Sequence, residues 1–221
     1  MEPLVGPAPW GRLPKEARRN LSLEHLVGAL RATGALGALP AVMEPTSGLK
    51  AAAVLVALFE ADGEARVVLT RRSAELRSHT GEVSLPGGAL DPGEAPAQAA
   101  LREAAEEVGL DPGPVALVGC LAPRLTARGT TQVLPVIATL GRRPELSPNA
   151  SEVARIFDVS FSQLVADGVF AQSKEGLAWP PGSPRSAPVW CFALDGEVVW
   201  GLTARILYEL ALVVLGLCDV L

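Results

Sequence analysis

Three closely spaced glutamates are the residues of this chain best suited to chemistry. Glu103, Glu106 and Glu107 lie in an alanine-rich segment that has a proline near its start and a glycine just past its end. This pattern predicts one helix over residues 95–108. At about 100° per residue, the three carboxylates share one face of that helix.

The opposite face of this helix is apolar, being formed by Leu101, Ala104, Ala105 and Val108. The helix therefore packs on a core and turns its acids away from it. Like charges three or four positions apart repel by roughly a few tenths of a kcal/mol. A divalent cation would offset that repulsion, and Mg²⁺ commonly takes only one or two protein carboxylates. Taken alone, the run has an alternative interpretation as a solvated acidic helix face.

The spacing of other residues favours the metal site. Gly88 and Glu94 precede the glutamates and Arg102 adjoins them, so that Gly88 to Leu110 resembles the Nudix box at every fixed position over 23 residues. The resemblance implies an α/β/α sandwich with a mixed sheet and a loop–helix–loop catalytic motif. It also implies binding of Mg²⁺ or Mn²⁺ and hydrolysis of a nucleoside diphosphate linked to another group.

The same resemblance implies roles for single residues. Arg102 pairs with a glutamate, for which Glu94 is the candidate, and so supports the site. For Glu94 itself, the alternatives are a direct catalytic role and an ordinary cap or exposed acid near a helix N-terminus. Nudix enzymes often bring a further acid from outside the box to the metals or to the attacking water, and Glu152 is the candidate for this acid. The alternative interpretation of Glu152 is an exposed acid at the start of a helical turn. The general base is a box glutamate or Glu152. The implied metal ligands are Glu103, Glu106, Glu107 and the carbonyl of Gly88.

A basic segment lies just before the box. From Leu69 through Gly81 to Leu85-Pro86-Gly87-Gly88, it resembles the signature of the coenzyme A pyrophosphatase branch, which usually has Phe at position 85. Arginine forks bind phosphate oxygens in pairs, and coenzyme A carries a pyrophosphate and a 3′-phosphate. A solvated basic loop is the alternative, and for His79 a structural hydrogen bond. The predicted substrate-binding residues are Arg71, Arg72, Arg77, His79 and Gly87.

The two resemblances together predict metal-dependent hydrolysis of coenzyme A and its derivatives to 3′,5′-ADP and 4′-phosphopantetheine, by attack of metal-activated water. One alternative is a Nudix pyrophosphatase acting on ADP-ribose or another nucleoside diphosphate derivative. Another is a hydrolase of oxidised nucleoside triphosphates, which would have no evident use for the upstream arginines. A third is an inactive Nudix binding module, whose expected sign would be a lost box glutamate; all three are present.

Length and composition agree with one ordinary globular enzyme. We predict a Nudix domain over residues 49–221, preceded by a tail, a helix and a linker over residues 1–48. The hydrophobic content of 49% excludes general disorder. The sequence contains no run of 18 apolar residues, which argues against a membrane span. A net charge of −5 disfavours nonspecific nucleic-acid binding. Oligomeric state has no signal in the sequence.

Three cysteines, Cys120, Cys191 and Cys218, are odd in number and form no closely spaced pair. They are predicted to be buried thiols of a reducing compartment. No secretory signal is visible, so the cytoplasm is the expected location. An organelle matrix is the alternative, because the first 19 residues carry four basic side chains.

The elements that position these residues follow from apolar patterns and turn signals. Residues 1–13 are expected to be a loose tail and 34–49 a linker, with Trp10 and Trp190 as packing residues. Residues 172–188 are a connector or a lid. The expected strands are 51–59, 66–70, 115–121, 133–140, 189–194 and 197–200, and the expected further helices begin after Ser22, cover 160–166, and cover 206–217 with Thr203 as the N-cap.

Overall fold

The computed structural model describes residues 8–46, 48–74, 81–126, 129–172 and 190–217. Two short 3-10 turns, Pro9–Arg12 and Lys15–Arg18, precede the regular elements. The helices are α1 (Leu23–Ala32), α2 (Pro96–Val108), α3 (Phe161–Leu164) and α4 (Gly201–Val214). The strands are β1 (Lys50–Ala61), β2 (Glu64–Arg72), β3 (Val83–Ser84), β4 (Gly87–Ala89), β5 (Val115–Cys120), β6 (Arg124–Leu125), β7 (Thr131–Leu140), β8 (Val153–Ser160), β9 (Phe170–Gln172), β10 (Trp190–Leu194) and β11 (Glu197–Trp200).

A mixed sheet occupies the centre of the molecule, with the strand order β3-β2-β1-β7-β5. β1 runs parallel to β7 and antiparallel to β2, to which it is joined by a tight turn at Asp62-Gly63. The short strands β4 and β6 pair with β1 and β7, and β8 pairs with β2. Strands β9, β10 and β11 form a separate antiparallel sheet.

Alternate residues of β1 face two separate cores, as the two-residue period of a strand requires. Leu55 and Phe59 join a cluster that α2 covers, whereas Val56 and Leu58 join a larger cluster that includes residues of α1, α3 and α4. Helices therefore cover both faces of the sheet, which confirms the predicted α/β/α sandwich. No helix among the described residues is long and apolar enough to cross a membrane.

The N-terminal segment differs from its prediction. Trp10 is fully buried and lies with Phe170 and Phe192 in an aromatic cluster, so residues 8–13 are not a loose tail. Within the predicted linker, the backbone of Gly37 exchanges two hydrogen bonds with that of Cys120. A domain boundary near residue 48 stays a prediction.

The second half of the chain differs from its prediction at two points. Thr203 is not the N-cap of α4, because the chain leaves β11 directly into that helix and Trp200 occupies the cap position. Strand β8 was not among the expected strands, although the strands 133–140 and 189–194, which lie before and after it in the chain, were expected. The proposed lid, apart from Gln172 in β9, lies outside the described residues, as does Cys218. The other expected helices and strands are confirmed, with ends shifted by a few residues.

Candidate active site

The glycine pair of β4 brings the start of the segment 88–110 against the centre of the sheet. Gly87 and Gly88 lie opposite Val54 and Ala53 of β1. Gly87 has a φ of 152°, and a Cβ at this position would lie 2.3 Å from the carbonyl oxygen of Ala53. Only glycine allows this approach of the two backbones.

Glu103 of α2 lies directly against the second glycine. A Cβ placed on Gly88 would be 2.3 Å from Oε1 of Glu103, so the carboxylate occupies the space that a side chain would fill. Burial raises the pKa of Glu103, and the negative charges of Glu106 and Glu152 add to this effect. The carboxylate is thus fixed beside the backbone of the loop that precedes the helix.

Arg102 links the loop to the helix. Its Nε and Nη2 donate to the two carboxylate oxygens of Glu94 at 2.9 and 3.0 Å. Nη2 also donates to the carbonyl of Ala89, and Nη1 to Glu103 at 3.1 Å and Glu106 at 3.3 Å. The bond from Arg102 holds the pKa of Glu94 below its usual value, and the guanidinium pKa is raised. Glu94 is therefore an ion-pair partner and not an isolated cap.

Glu107 is the most deeply buried acid of the site, with 2% of the residue exposed. Its Oε2 accepts the backbone N–H of Gly87 at 3.1 Å, and its Oε1 lies 3.4 Å from Nη1 of Arg72. Burial raises the pKa of Glu107 to about 7, although both of these partners lower it. A buried carboxylate with a raised pKa is a common feature of functional sites.

Glu152 comes to the same place from outside the box. The backbone N–H of Asn149 donates to the carbonyl of Glu107, and that of Ser73 to the carbonyl of Glu152, both within 2.9 Å. The charge of Glu152 raises the pKa values of Glu103 and Glu107. Glu152 lies in a turn before β8, half-buried, and does not start a helical turn.

Oxygen donors thus come together from α2 and from the turn before β8. Among the described residues, no three His, Cys, Asp or Glu side chains already form a group with metal-binding geometry. Glu106 is largely exposed, with its carboxylate on Arg102. The donor set still fits Mg²⁺ or Mn²⁺, because these ions commonly take one or two carboxylates and leave the other positions to water and phosphate. The charge of Glu103 raises the pKa of Glu107, so these two carboxylates are the pair that would gain most from a cation.

The two described arginines of the upstream signature point apart. Arg72 reaches Glu107, whereas Arg71 lies 3.3 Å from Glu197 of β11, which Arg155 of β8 also contacts. Arg155 and Glu197 were missed by sequence reasoning, because no local pattern connects strands so far apart in the chain. Arg77 and His79 lie outside the described residues.

Several known proteins are similar to this chain in sequence. Residues 49–179 match the family model described as the NUDIX domain. The chain is 40% identical over 171 residues to Nudix hydrolase 22, chloroplastic, of Arabidopsis thaliana, covering 75% of this chain and 55% of that protein. It is 35% identical over 175 residues to the uncharacterized Nudix hydrolase NudL of Pectobacterium atrosepticum, covering 79% of this chain and 88% of that protein.

Among solved structures, the Nudix hydrolase RenU from M. smegmatis has 29% sequence identity and a TM-score of 0.45, with coverage of 56% of this chain and 79% of that one. The chain spans little more than half the length of the two Arabidopsis relatives, Nudix hydrolase 22 and Nudix hydrolase 15, mitochondrial.

Proposed function

This chain belongs to the Nudix hydrolase family, and on that premise we propose that it hydrolyses the pyrophosphate bond of coenzyme A and its derivatives to 3′,5′-ADP and 4′-phosphopantetheine. Family members act on pyrophosphate bonds of nucleoside diphosphate derivatives and generally use divalent cations. The observation that carries the proposal is the meeting of Arg72, from the coenzyme A signature, with Glu107, from the Nudix box.

The carboxylates hold the reaction centre. Glu103 and Glu107, one helical turn apart on α2, would hold Mg²⁺ or Mn²⁺, with the Gly88 carbonyl and Glu106 as further ligands. When bound, the cation supplies positive charge for the phosphate oxygens and lowers the pKa of an attacking water. Arg102 keeps Glu103 in place by pairing it with the loop that carries Glu94.

Glu152 is our candidate for the general base. It is held near Glu107 by backbone hydrogen bonds and remains partly open to solvent, so it can accept a proton from water. The box glutamates that ligate a cation are poorer bases, because the positive charge lowers their affinity for a proton. Glu152→Gln should therefore reduce kcat more than it reduces metal affinity.

Cationic groups upstream would select the substrate. Arg72 would contact the pyrophosphate, and the other predicted substrate-binding side chains, Arg71, Arg77 and His79, would recognise the 3′-phosphate. Bidentate arginine contacts are short and charge-assisted, so a missing 3′-phosphate should cost binding energy. A derivative acylated at the distant thiol would bind equally well.

The cysteines support a reducing location for this reaction. Cys120 and Cys191 are free and buried, and burial raises the pKa of the Cys191 thiol to about 12, which makes it a poor nucleophile. We place the reaction in the cytoplasm or an organelle matrix, where thiols stay reduced.

A substrate comparison tests the assignment. The measurement is kcat/KM for coenzyme A, dephospho-coenzyme A and ADP-ribose under the same Mg²⁺ concentration, with Glu107→Gln as the inactive control. We expect coenzyme A to exceed dephospho-coenzyme A by at least about tenfold, the effect of one lost charge-assisted contact. Preference for ADP-ribose would retain the Nudix activity and refute the coenzyme A assignment.

A further inference from the structure

The innermost glutamate of the site has an arginine side chain as one of its two partners. Glu107 is nearly inaccessible to solvent, and each of its oxygens already faces a donor: Oε2 the backbone N–H of Gly87, and Oε1 the guanidinium of Arg72. The N–H of Gly87 is part of the fixed backbone of β4. The guanidinium of Arg72 stands at the end of a side chain and can move.

The strand fixes the backbone of Arg72, whereas its guanidinium makes a long contact with Glu107. The pairing of β2 with β8 shifts register between Arg71 and Arg72, and such an irregularity re-aims a side chain. The N–H of Arg72 donates to the carbonyl of Glu82, and that of Ser73 to Glu152. The contact with Glu107 is long, at 3.4 Å, and the buried Nε of Arg72 has no acceptor among the described residues.

We propose that Arg72 is a replaceable counter-ion of Glu107: it neutralises this carboxylate in the metal-free enzyme, opposes the entry of a divalent cation, and is transferred to the substrate's phosphate oxygens when the cation binds. The inference rests on the proposed function for its last step only. A guanidinium and a divalent cation on the same carboxylate repel each other, so the two are alternatives. The arginine leaves a long contact and gains phosphate oxygens that match its planar fork.

The exchange explains how a buried acid is kept ready. A carboxylate so deeply buried and without a partner would be costly in the metal-free protein. With Arg72 beside it, the charge of Glu107 is neutralised until the cation and the substrate replace the guanidinium together. Arg72 therefore has opposite effects on the two ligands, weakening metal binding and strengthening substrate binding.

Manganese titration of the full chain at pH 8 without substrate tests the exchange, with free Mn²⁺ followed by electron paramagnetic resonance. Arg72→Gln should bind Mn²⁺ roughly tenfold more tightly than the wild type, as expected for the loss of a coupled like charge. Arg71→Gln is the matched control, because it removes the same charge from the neighbouring residue, whose side chain contacts Glu197 and not Glu107. Its Mn²⁺ affinity should be unchanged. Arg72→Met, which keeps the apolar stem, gives the same test if the glutamine variant folds poorly.

The second arm measures the substrate. Arg72→Gln should raise KM for coenzyme A by about tenfold or more. The variant should thus bind substrate more weakly while it binds Mn²⁺ more tightly. Equal or weaker Mn²⁺ binding in both Arg72 variants would overturn the exchange, whatever the substrate. Tighter Mn²⁺ binding by the Arg72 variants, together with no turnover of coenzyme A by the wild type, would support the exchange and refute the proposed function. The two failures are therefore distinguishable.

Discussion

Replacing Gly88 with alanine is the most informative change that the fold suggests. The added Cβ would lie 2.3 Å from Oε1 and 2.4 Å from Cδ of Glu103. Ordinary contacts between heavy atoms begin at about 3.5 Å, so the Glu103 carboxylate has to move away by roughly 1 Å. The nearest atoms belong to the end of a flexible side chain, which can move without disturbing the backbone of β4.

The expected cost falls on activity more than on stability. A displacement of about 1 Å at a reacting group typically reduces the rate by about 10²-fold, or about 2.7 kcal/mol of transition-state stabilisation. The free energy of unfolding should fall by less than about 1 kcal/mol. Steady-state kinetics with saturating Mg²⁺ and urea unfolding of the metal-free protein measure the two quantities separately.

Two other glycines provide the controls for this prediction. Gly141→Ala adds the same methyl group where nothing lies within 4 Å, and should change neither quantity. Gly87→Ala places its Cβ 2.3 Å from the backbone of Ala53 and should cost stability outright, by about 2–3 kcal/mol or more. A Gly88→Ala variant with wild-type kcat/KM would refute the position or the importance of Glu103. Equal losses of transition-state stabilisation and of free energy of unfolding would refute the prediction that the change affects activity more than stability.

Three further changes have expected results. Gly28→Ala, in the exposed middle of α1 with nothing within 4 Å of the new Cβ, should raise the free energy of unfolding by about 0.5–1 kcal/mol in urea titrations; a decrease would contradict the helix. Arg102→Lys loses the fork to Glu94 and should lower kcat by about tenfold through the loosened Glu103, while Lys50→Gln should not. Because the pKa of Glu94 is lowered in the fold, its pairing stabilises the protein above the ordinary value of 4.5 and is lost as pH falls below it. The Tm difference between wild type and Glu94→Gln should therefore narrow below that pH, and a constant difference would refute the pairing.

Local signals explain what the sequence predicted well. The helix over 95–108 is observed as Pro96–Val108, because proline, glycine and the apolar face act within one element. The box spacing also placed Glu103 and Glu107 on one helix face. Burial of Glu107 and its contact with Arg72 depend on strands that the sequence does not place, so the depth of the site could not be derived.

Grouping by sequence failed where neighbours in a strand face opposite ways. Arg71 and Arg72 were treated as one basic cluster, yet successive residues of β2 point to different faces, and only Arg72 reaches the acids. Thr203 was chosen as a cap by residue type, whereas the end of β11 at Trp200 determines where α4 begins. Both differences arise from tertiary structure.

Product identification after incubation of the full chain with coenzyme A and Mg²⁺ tests the central claim most directly. Liquid chromatography with mass detection should find 3′,5′-ADP and 4′-phosphopantetheine in equal amounts from the wild type and neither from Glu107→Gln. Intact coenzyme A after incubation with the wild type, or the same products at the same rate from Glu107→Gln, would contradict the account.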